Sequence, residues 1–233
     1  MIMATFVLVH GATAGGWVWQ QITKRLKAAG HAVYTPTLTG LGERVHLLSR
    51  AVGLDTHVTD VVNVLHYEEL QDVVLVGHSY AGMVITGVYD QASVRIRQLI
   101  YLDALVPAAD ECCLDLMAPA ARQTMAERVR TEGDGWLLPV NRGPNDLPSK
   151  NAPHPWKCWT DPLRLQSKAV PTVPCTYVLF TADKQPGAFY HQVLETSWQR
   201  AQSRGWRFHE VNTVHQILPD PEPKAAVLLD IVE

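Results

Sequence analysis

Val73-Val74-Leu75-Val76-Gly77-His78-Ser79-Tyr80-Ala81-Gly82-Met83 is the stretch around which the rest of the chain is read. An apolar run ends at a glycine, and a serine follows one residue later. Small residues then open a stretch, Met83 to Tyr89, that reads as a helix. A continuous Val/Leu run is how a buried parallel strand is written. A strand that turns at once into a helix leaves the hydroxyl at its apex exposed, and small neighbours let the two elements approach. Ala81 stands where the usual G-x-S-x-G pattern has its second glycine, with Gly82 one place later. A lone G-x-S is common in ordinary βα turns, so the weight must come from partners elsewhere.

Working outward, Phe6 to His10 is a second buried strand. It runs into the glycine-rich loop His10-Gly11-Ala12-Thr13-Ala14-Gly15-Gly16-Trp17. Trp19, Ile22, Leu26 and Ala29 then recur at helical spacing, and Gly30 stops that helix. Ala32 to Pro36 is a further strand, followed by the loop Thr37 to Arg44. Val58, Val61, Val62 and Leu65 share one face of a helix over His57 to Leu65. Beyond the Ser79 turn come strands over Gln98 to Asp103, Thr176 to Phe180 and Trp206 to Val211. A helix covers Ala188 to Arg200. Asp220 suits a helix N-cap and Pro221 its first turn. Six strands alternating with helices predict an α/β fold with a mostly parallel sheet in one domain spanning 1–233.

The rhythm breaks over about 104–173. Ala108 to Arg130 reads as helical. Then Gly133, Gly135, Pro139, Gly143, Pro144, Pro148, Pro153 and Pro155 alternate with Trp136, Trp156 and Trp159. This is too rich in tryptophan for a linker, and it reads as an inserted cap with aromatics facing inward.

The composition narrows the classes. The chain has 233 residues, 47% hydrophobic and 18% charged, and a net charge of −3. That is enough apolar surface for a sizeable core. No basic stripe points to nucleic acid, and no apolar run reaches membrane-spanning length. The apolar N-terminus lacks a basic region and runs into a core strand, so it does not read as a signal peptide. Cys112, Cys113, Cys158 and Cys175 have no C-x-x-C spacing, which fits reduced thiols in a cytoplasm.

Ser79, Asp183 and His215 each follow the end of a different strand, and in a parallel sheet those ends gather at one edge. A serine needs a base to take its proton, and a histidine titrates near neutrality. A carboxylate then fixes the imidazole tautomer. Asp183 follows the penultimate strand and is the expected acid; Asp103, after the strand that follows the Ser79 turn, is its rival. An acyl-transfer oxyanion needs backbone N–H donors. Tyr80, the residue after the nucleophile, should give one, and Ala12 in the glycine-rich loop the other.

Phe6-Val7-Leu8-Val9-His10-Gly11-Ala12 with Gly15-Gly16-Trp17-Val18-Trp19, Gly77-His78-Ser79 with Gly82-Met83, and Thr181-Ala182-Asp183-Lys184 resemble one branch of the α/β-hydrolase superfamily. That branch holds plant methyl-salicylate-type esterases, hydroxynitrile lyases and bacterial pyrethroid-hydrolase-like esterases. Thr39 to Leu47 also resembles its bacterial members. The similarity is most specific over 6–110 and 176–220. It implies a six-stranded core, a small cap, no cofactor or metal, and often a homodimer. Ala81, and Val214 before His215, depart from the family pattern.

The expected function is a serine carboxylic-ester hydrolase acting on a small to medium apolar or aromatic ester through an acyl-enzyme. Trp136, Trp156 and Trp159 are expected around the acyl pocket. The alternatives are a hydroxynitrile lyase, a cofactor-free dioxygenase and a non-enzymatic ligand receptor. In the related lyases the position of Gly11 carries a threonine and that of Gln216 a lysine, so these two residues, at the substrate, argue for hydrolysis.

Overall fold

A computed structural model describes residues 3–140, 150–166 and 171–232. In chain order the elements are β1 (Thr5–Val9), α1 (Gln20–Ala28), β2 (Ala32–Tyr34), α2 (Leu54–Tyr67), β3 (Val73–His78), α3 (Ala81–Ala92) and β4 (Ile96–Leu102). They continue with α4 (Pro119–Glu132), β5 (Leu137–Leu138), β6 (His154–Pro155), α5 (Lys157–Thr160), β7 (Cys175–Phe180), α6 (Phe189–Ser203), β8 (Arg207–Val211) and α7 (Pro221–Val232).

Six strands form one sheet in the order β2-β1-β3-β4-β7-β8. Every pairing in it is parallel. The alternation of strand side chains sorts the core into two layers. Val7, Val9, Leu75, Leu99 and Tyr101 face α2, α3 and α6. Phe6, Leu8, Val74, Val76, Ile100 and Leu102 face α1 and α7. On α2, Leu54, Val58, Val61 and Leu65 are buried and Val62 is half-buried, so the expected stripe runs one turn longer at the front. Each such side chain contributes about 1.5–3 kcal/mol on leaving water. The chain runs from β1 out to β2 and then returns to place β3 on the other side of β1. The strand order therefore reverses between β1 and β3, and ligands of open α/β sheets bind at such a point. Ser79 and the loop after β1 meet there.

Two sequence expectations need correcting. The strand expected over Ala32 to Pro36 stops at Tyr34, short of Pro36, whose missing N–H suits no ladder. The helix expected over Ala108 to Arg130 begins only at Pro119. Proline is tolerated in a first turn but cannot donate the bond a continuing helix requires. Before it, Cys113–Leu116 makes one 3-10 turn, in which the Asp115 carboxylate accepts the Cys112 N–H at 2.8 Å. Glu111 is bound to Arg200 of α6 (2.9 Å) and to the Ala108 N–H (2.7 Å). Within 104–173, the stretches 141–149, with Gly143, Pro144 and Pro148, and 167–170 lie outside the described residues.

Candidate active site

Ser79 is the first residue past β3. Its φ is +56°, a left-handed conformation that costs a non-glycine residue on the order of 1–3 kcal/mol. The turn is locked by Ser79 N–H to Leu102 O (3.4 Å), Leu105 N–H to Ser79 O (3.0 Å) and Gly82 N–H to Ser79 O (3.1 Å). The missing second glycine is accommodated because the tightest approach falls at Gly82. A Cβ there would lie 1.8 Å from the Leu105 carbonyl oxygen, whereas Ala81 is simply buried.

The Ser79 Oγ donates to His215 Nε2 at 2.9 Å. On the other side of the ring, His215 Nδ1–H donates to Asp103 Oδ2 at 2.6 Å. This corrects the expected acid. Asp183 does not reach the ring; its Oδ2 accepts the backbone N–H of His215 at 2.8 Å. The reason lies in the strand order. Asp103 directly follows β4, the neighbour of β3, and is fully buried. Its own left-handed turn (φ +47°) and an Asp103 N–H to Val178 O bond of 2.7 Å fix where its carboxylate sits. Asp183 follows β7, one strand farther out, and meets the His215 loop at its backbone.

Lys184 ties the two carboxylates together. Its Nζ donates to Asp103 Oδ2 (2.8 Å) and Asp183 Oδ1 (2.9 Å). With a neutral His215 this group of four carries one net negative charge, and a proton arriving on the imidazole cancels it. The arrangement therefore favours the imidazolium that forms when Ser79 gives up its proton. Burial alone would raise the Asp183 carboxyl, but the His215 N–H and the Lys184 ammonium outweigh it and hold it below the usual carboxylate range.

Two aromatic residues complete the seating of His215. His78 Nε2–H donates to the His215 carbonyl at 2.8 Å, and burial keeps its imidazole well below its ordinary value. The Tyr190 ring stacks on His215 at 4.0 Å, and its hydroxyl accepts from Gln216 Nε2 at 3.1 Å. Burial, with Asp183 and Asp103 nearby, pushes that phenol up, so it stays protonated. Lys184 was legible only as the neighbour of Asp183, and nothing in the sequence marked Tyr190.

A cavity of about 580 Å³ opens above Ser79 and His215. Ala12, Thr13, Trp17 and Val18 line one side, and Met125, Leu138 and Trp159 come from the segment between β4 and β7. Phe189, Tyr190, Val193 and Gln216 close the other side. Among the described residues, the N–H groups of Ala12 and Tyr80 have no hydrogen-bond acceptor. Of the three tryptophans expected here, only Trp159 lines the cavity. Trp156 stacks behind it at 6.4 Å, and Trp136 lies under the Arg50 guanidinium at 4.9 Å. Gly11 sits beneath the site: a Cβ there would be 2.9 Å from both Ser79 Cβ and His78 Nδ1.

Behind Tyr80, donor atoms of His57, His154 and Cys158 lie within 4.8 Å of one another. The chemistry of this set does not suit a metal. His57 Nε2–H donates to Thr39 O (2.9 Å), and its Nδ1 accepts from the Tyr80 hydroxyl (3.0 Å). His154 Nδ1 accepts from Trp159 Nε1 (2.9 Å), and burial pushes the Cys158 thiol up to about 12. Their lone pairs are already engaged, and a metal needs a thiolate. The cluster reads as a polar seam in an apolar layer, in which the buried His154 Nε2–H has no hydrogen-bond partner among the described residues.

The sequence matches the family described as "Alpha/beta hydrolase family" over residues 6–227. Over 118 residues it is 52% identical to a carbendazim hydrolyzing esterase of Nocardioides sp. (strain SG-4G), covering 51% of this chain and 49% of that protein. Over 103 residues it is 31% identical to an alpha-hydroxynitrile lyase of Arabidopsis thaliana, covering 44% and 40%. The chain thus spans half or less of the length of these curated relatives. Among solved structures, an extracellular alpha/beta-hydrolase from a Paenibacillus species superposes with a TM-score of 0.83 at 23% identity, over 97% of this chain and 98% of that one. A pyrethroid hydrolase follows the same fold at TM-score 0.70 and 19% identity, over 99% and 98%.

Proposed function

The chain belongs to the alpha/beta hydrolase family, and from that premise we propose that it is a serine carboxylic-ester hydrolase with Ser79, His215 and Asp103 as its catalytic triad. The observation that carries the reading is the Ser79–His215–Asp103 chain of hydrogen bonds, 2.9 and 2.6 Å, at the foot of one cavity. His215 takes the Ser79 proton as the Oγ attacks the ester carbonyl. Asp103 holds the Nδ1–H tautomer and stabilises the imidazolium without taking the proton itself. The Ala12 and Tyr80 N–H groups receive the oxyanion. His215 then protonates the leaving alcohol, and in the second half activates water against the acyl-enzyme.

The walls support a substrate class. Met125, Leu138, Trp159, Phe189 and Val193 are apolar or aromatic, with Thr124, Arg128 and Asn151 as polar members, which supports a small to medium apolar or aromatic ester. The similarity to a carbendazim hydrolyzing esterase adds carbendazim to the compounds to be tried. The segment between β4 and β7 acts as a cap in this reading, since Met125, Leu138 and Trp159 reach the cavity from it. A cytoplasmic setting fits four free thiols.

The similarity to a lyase keeps cyanohydrin cleavage as the second reading. Two features oppose it. Gly11 has no room for a side chain. Gln216 is neutral and its amide is engaged by Tyr190. The test is a panel of p-nitrophenyl esters, aromatic methyl esters, carbendazim and two cyanohydrins, run on wild type and Ser79→Ala. Ester hydrolysis should dominate and vanish in the variant, and a fluorophosphonate should label Ser79. Cyanide release outpacing every ester, or binding without turnover, would overturn the reading.

A further inference from the structure

His10 is fully buried behind the loop that bears Ala12, and no step of the reaction uses it. Its two ring nitrogens are assigned by their partners. The Leu38 N–H, which can only donate, donates to His10 Nε2 at 3.0 Å. Nε2 is therefore the bare nitrogen, and Nδ1 carries the proton. That proton is donated to the Gly11 carbonyl at 2.8 Å. The Gly11 carbonyl and the Ala12 N–H belong to one peptide unit, and it is trans, like every described peptide bond. In a trans unit the two point in opposite directions. Drawing the carbonyl back onto His10 turns the Ala12 N–H away from the core, on the side where Ala12 lines the cavity.

We infer that His10 is a positioning residue that sets the Gly11–Ala12 peptide so that the Ala12 N–H faces the oxyanion, with Leu38 fixing the tautomer required. The inference rests on the ester-hydrolase reading above. Glycine at position 11 makes the control necessary, since without a Cβ the peptide has a low barrier to alternative orientations. The next residue is also held. Thr13 is left-handed (φ +62°) and its carbonyl accepts the Ala152 N–H at 2.8 Å. Burial lowers the His10 imidazole to about 4, so the neutral tautomer persists through the working range. The other half of the hole is braced from the loop that carries Leu38: Tyr80 donates to His57, and His57 to the Thr39 carbonyl.

Two near-isosteres separate the two bonds of His10. An asparagine amide nitrogen falls near the Nδ1 position and can still donate to the Gly11 carbonyl. A glutamine oxygen falls near Nε2 and can still accept from Leu38, but leaves the carbonyl without a donor. His10→Ala and His10→Gln should lose roughly 10²-fold in kcat for p-nitrophenyl esters with KM little changed, the signature of a lost oxyanion donor. His10→Asn should recover most of that loss. A crystal structure of His10→Gln should show the Ala12 N–H turned from Ser79. Long-range ¹H–¹⁵N spectra of the wild type, which need no variant to fold, should show a protonated Nδ1. Equal kcat for Asn and Gln, an unmoved peptide, or a protonated Nε2 would overturn the inference alone. A wild type without Ser79-dependent hydrolysis would bring down the ester-hydrolase reading, and this inference with it.

Discussion

Asp103→Asn against Asp183→Asn tests the division of labour between the two carboxylates. In the structure the Asp103 oxygen is 2.6 Å from His215 Nδ1 and wholly buried. Two opposite charges with centres about 4 Å apart attract by about 4 kcal/mol at an effective permittivity near 20. That attraction exists only after His215 has taken the Ser79 proton, so it belongs to the transition state. At about 1.4 kcal/mol per decade it is worth roughly 10³ in rate. An asparagine amide also favours the wrong imidazole tautomer, which brings the expected loss in kcat to about 10⁴. Asp183→Asn differs in kind. Its partner is the backbone N–H of His215 at 2.8 Å, and an asparagine carbonyl oxygen can accept that bond. Lys184 keeps Asp103 as its counter-ion. The variant also removes one negative charge of the group, but from a carboxylate that is 23% exposed and meets His215 only at its backbone. One weakened positioning bond of about 1 kcal/mol and that screened charge should together keep the loss within about 10²-fold. The assay is kcat on p-nitrophenyl butyrate at saturating substrate, with circular dichroism to show that both variants fold. Asp183→Asn losing as much as Asp103→Asn, or more, would refute the geometric assignment.

Other outcomes follow from the same contacts. The His10 value drops from 6.5 to about 4 on folding. The unfolded chain therefore binds the extra proton between those values, and His10 accounts for about 3 kcal/mol of stability lost as pH falls from 6.5 to 4. Because the buried His57, His78 and His154 shift the same way, urea melts of wild type are compared with His10→Asn across that range, and a difference that does not change with pH would refute the buried neutral His10 imidazole. Gly11→Thr, placing atoms 2.9 Å from Ser79 Cβ and His78 Nδ1, should cut ester hydrolysis by more than about 10²-fold without creating cyanide release; parallel ester and mandelonitrile assays check this. Trp159→Ala should reorder acyl preference and cost about 3–5 kcal/mol, since Trp159 both lines the cavity and is 5% exposed. Trp136→Ala, away from the cavity, should leave the substrate ranking intact in the same ester panel.

Much of this protein was legible in the residues in order. Continuous apolar runs and period-3.6 apolar patterns are local, and they placed six strands, the α2 stripe and the Ser79 turn. The chain order of serine and histidine at strand ends followed, because a parallel sheet must bring those ends to one edge. The stretch from Ala108 to Ala118 is not helical because Pro119 opens the helix instead of continuing it. Which carboxylate meets the imidazole was not legible. Asp103 and Asp183 both follow strands, and sequence spacing carries no information about lateral order in a sheet. Only the pairing of β4 beside β3 put Asp103 under His215 and left Asp183 to its backbone. The same holds for Lys184, Tyr190 and His10. Each acts through a bond whose partner lies on another element or depends on a peptide orientation, and such bonds exist only once the layers are packed.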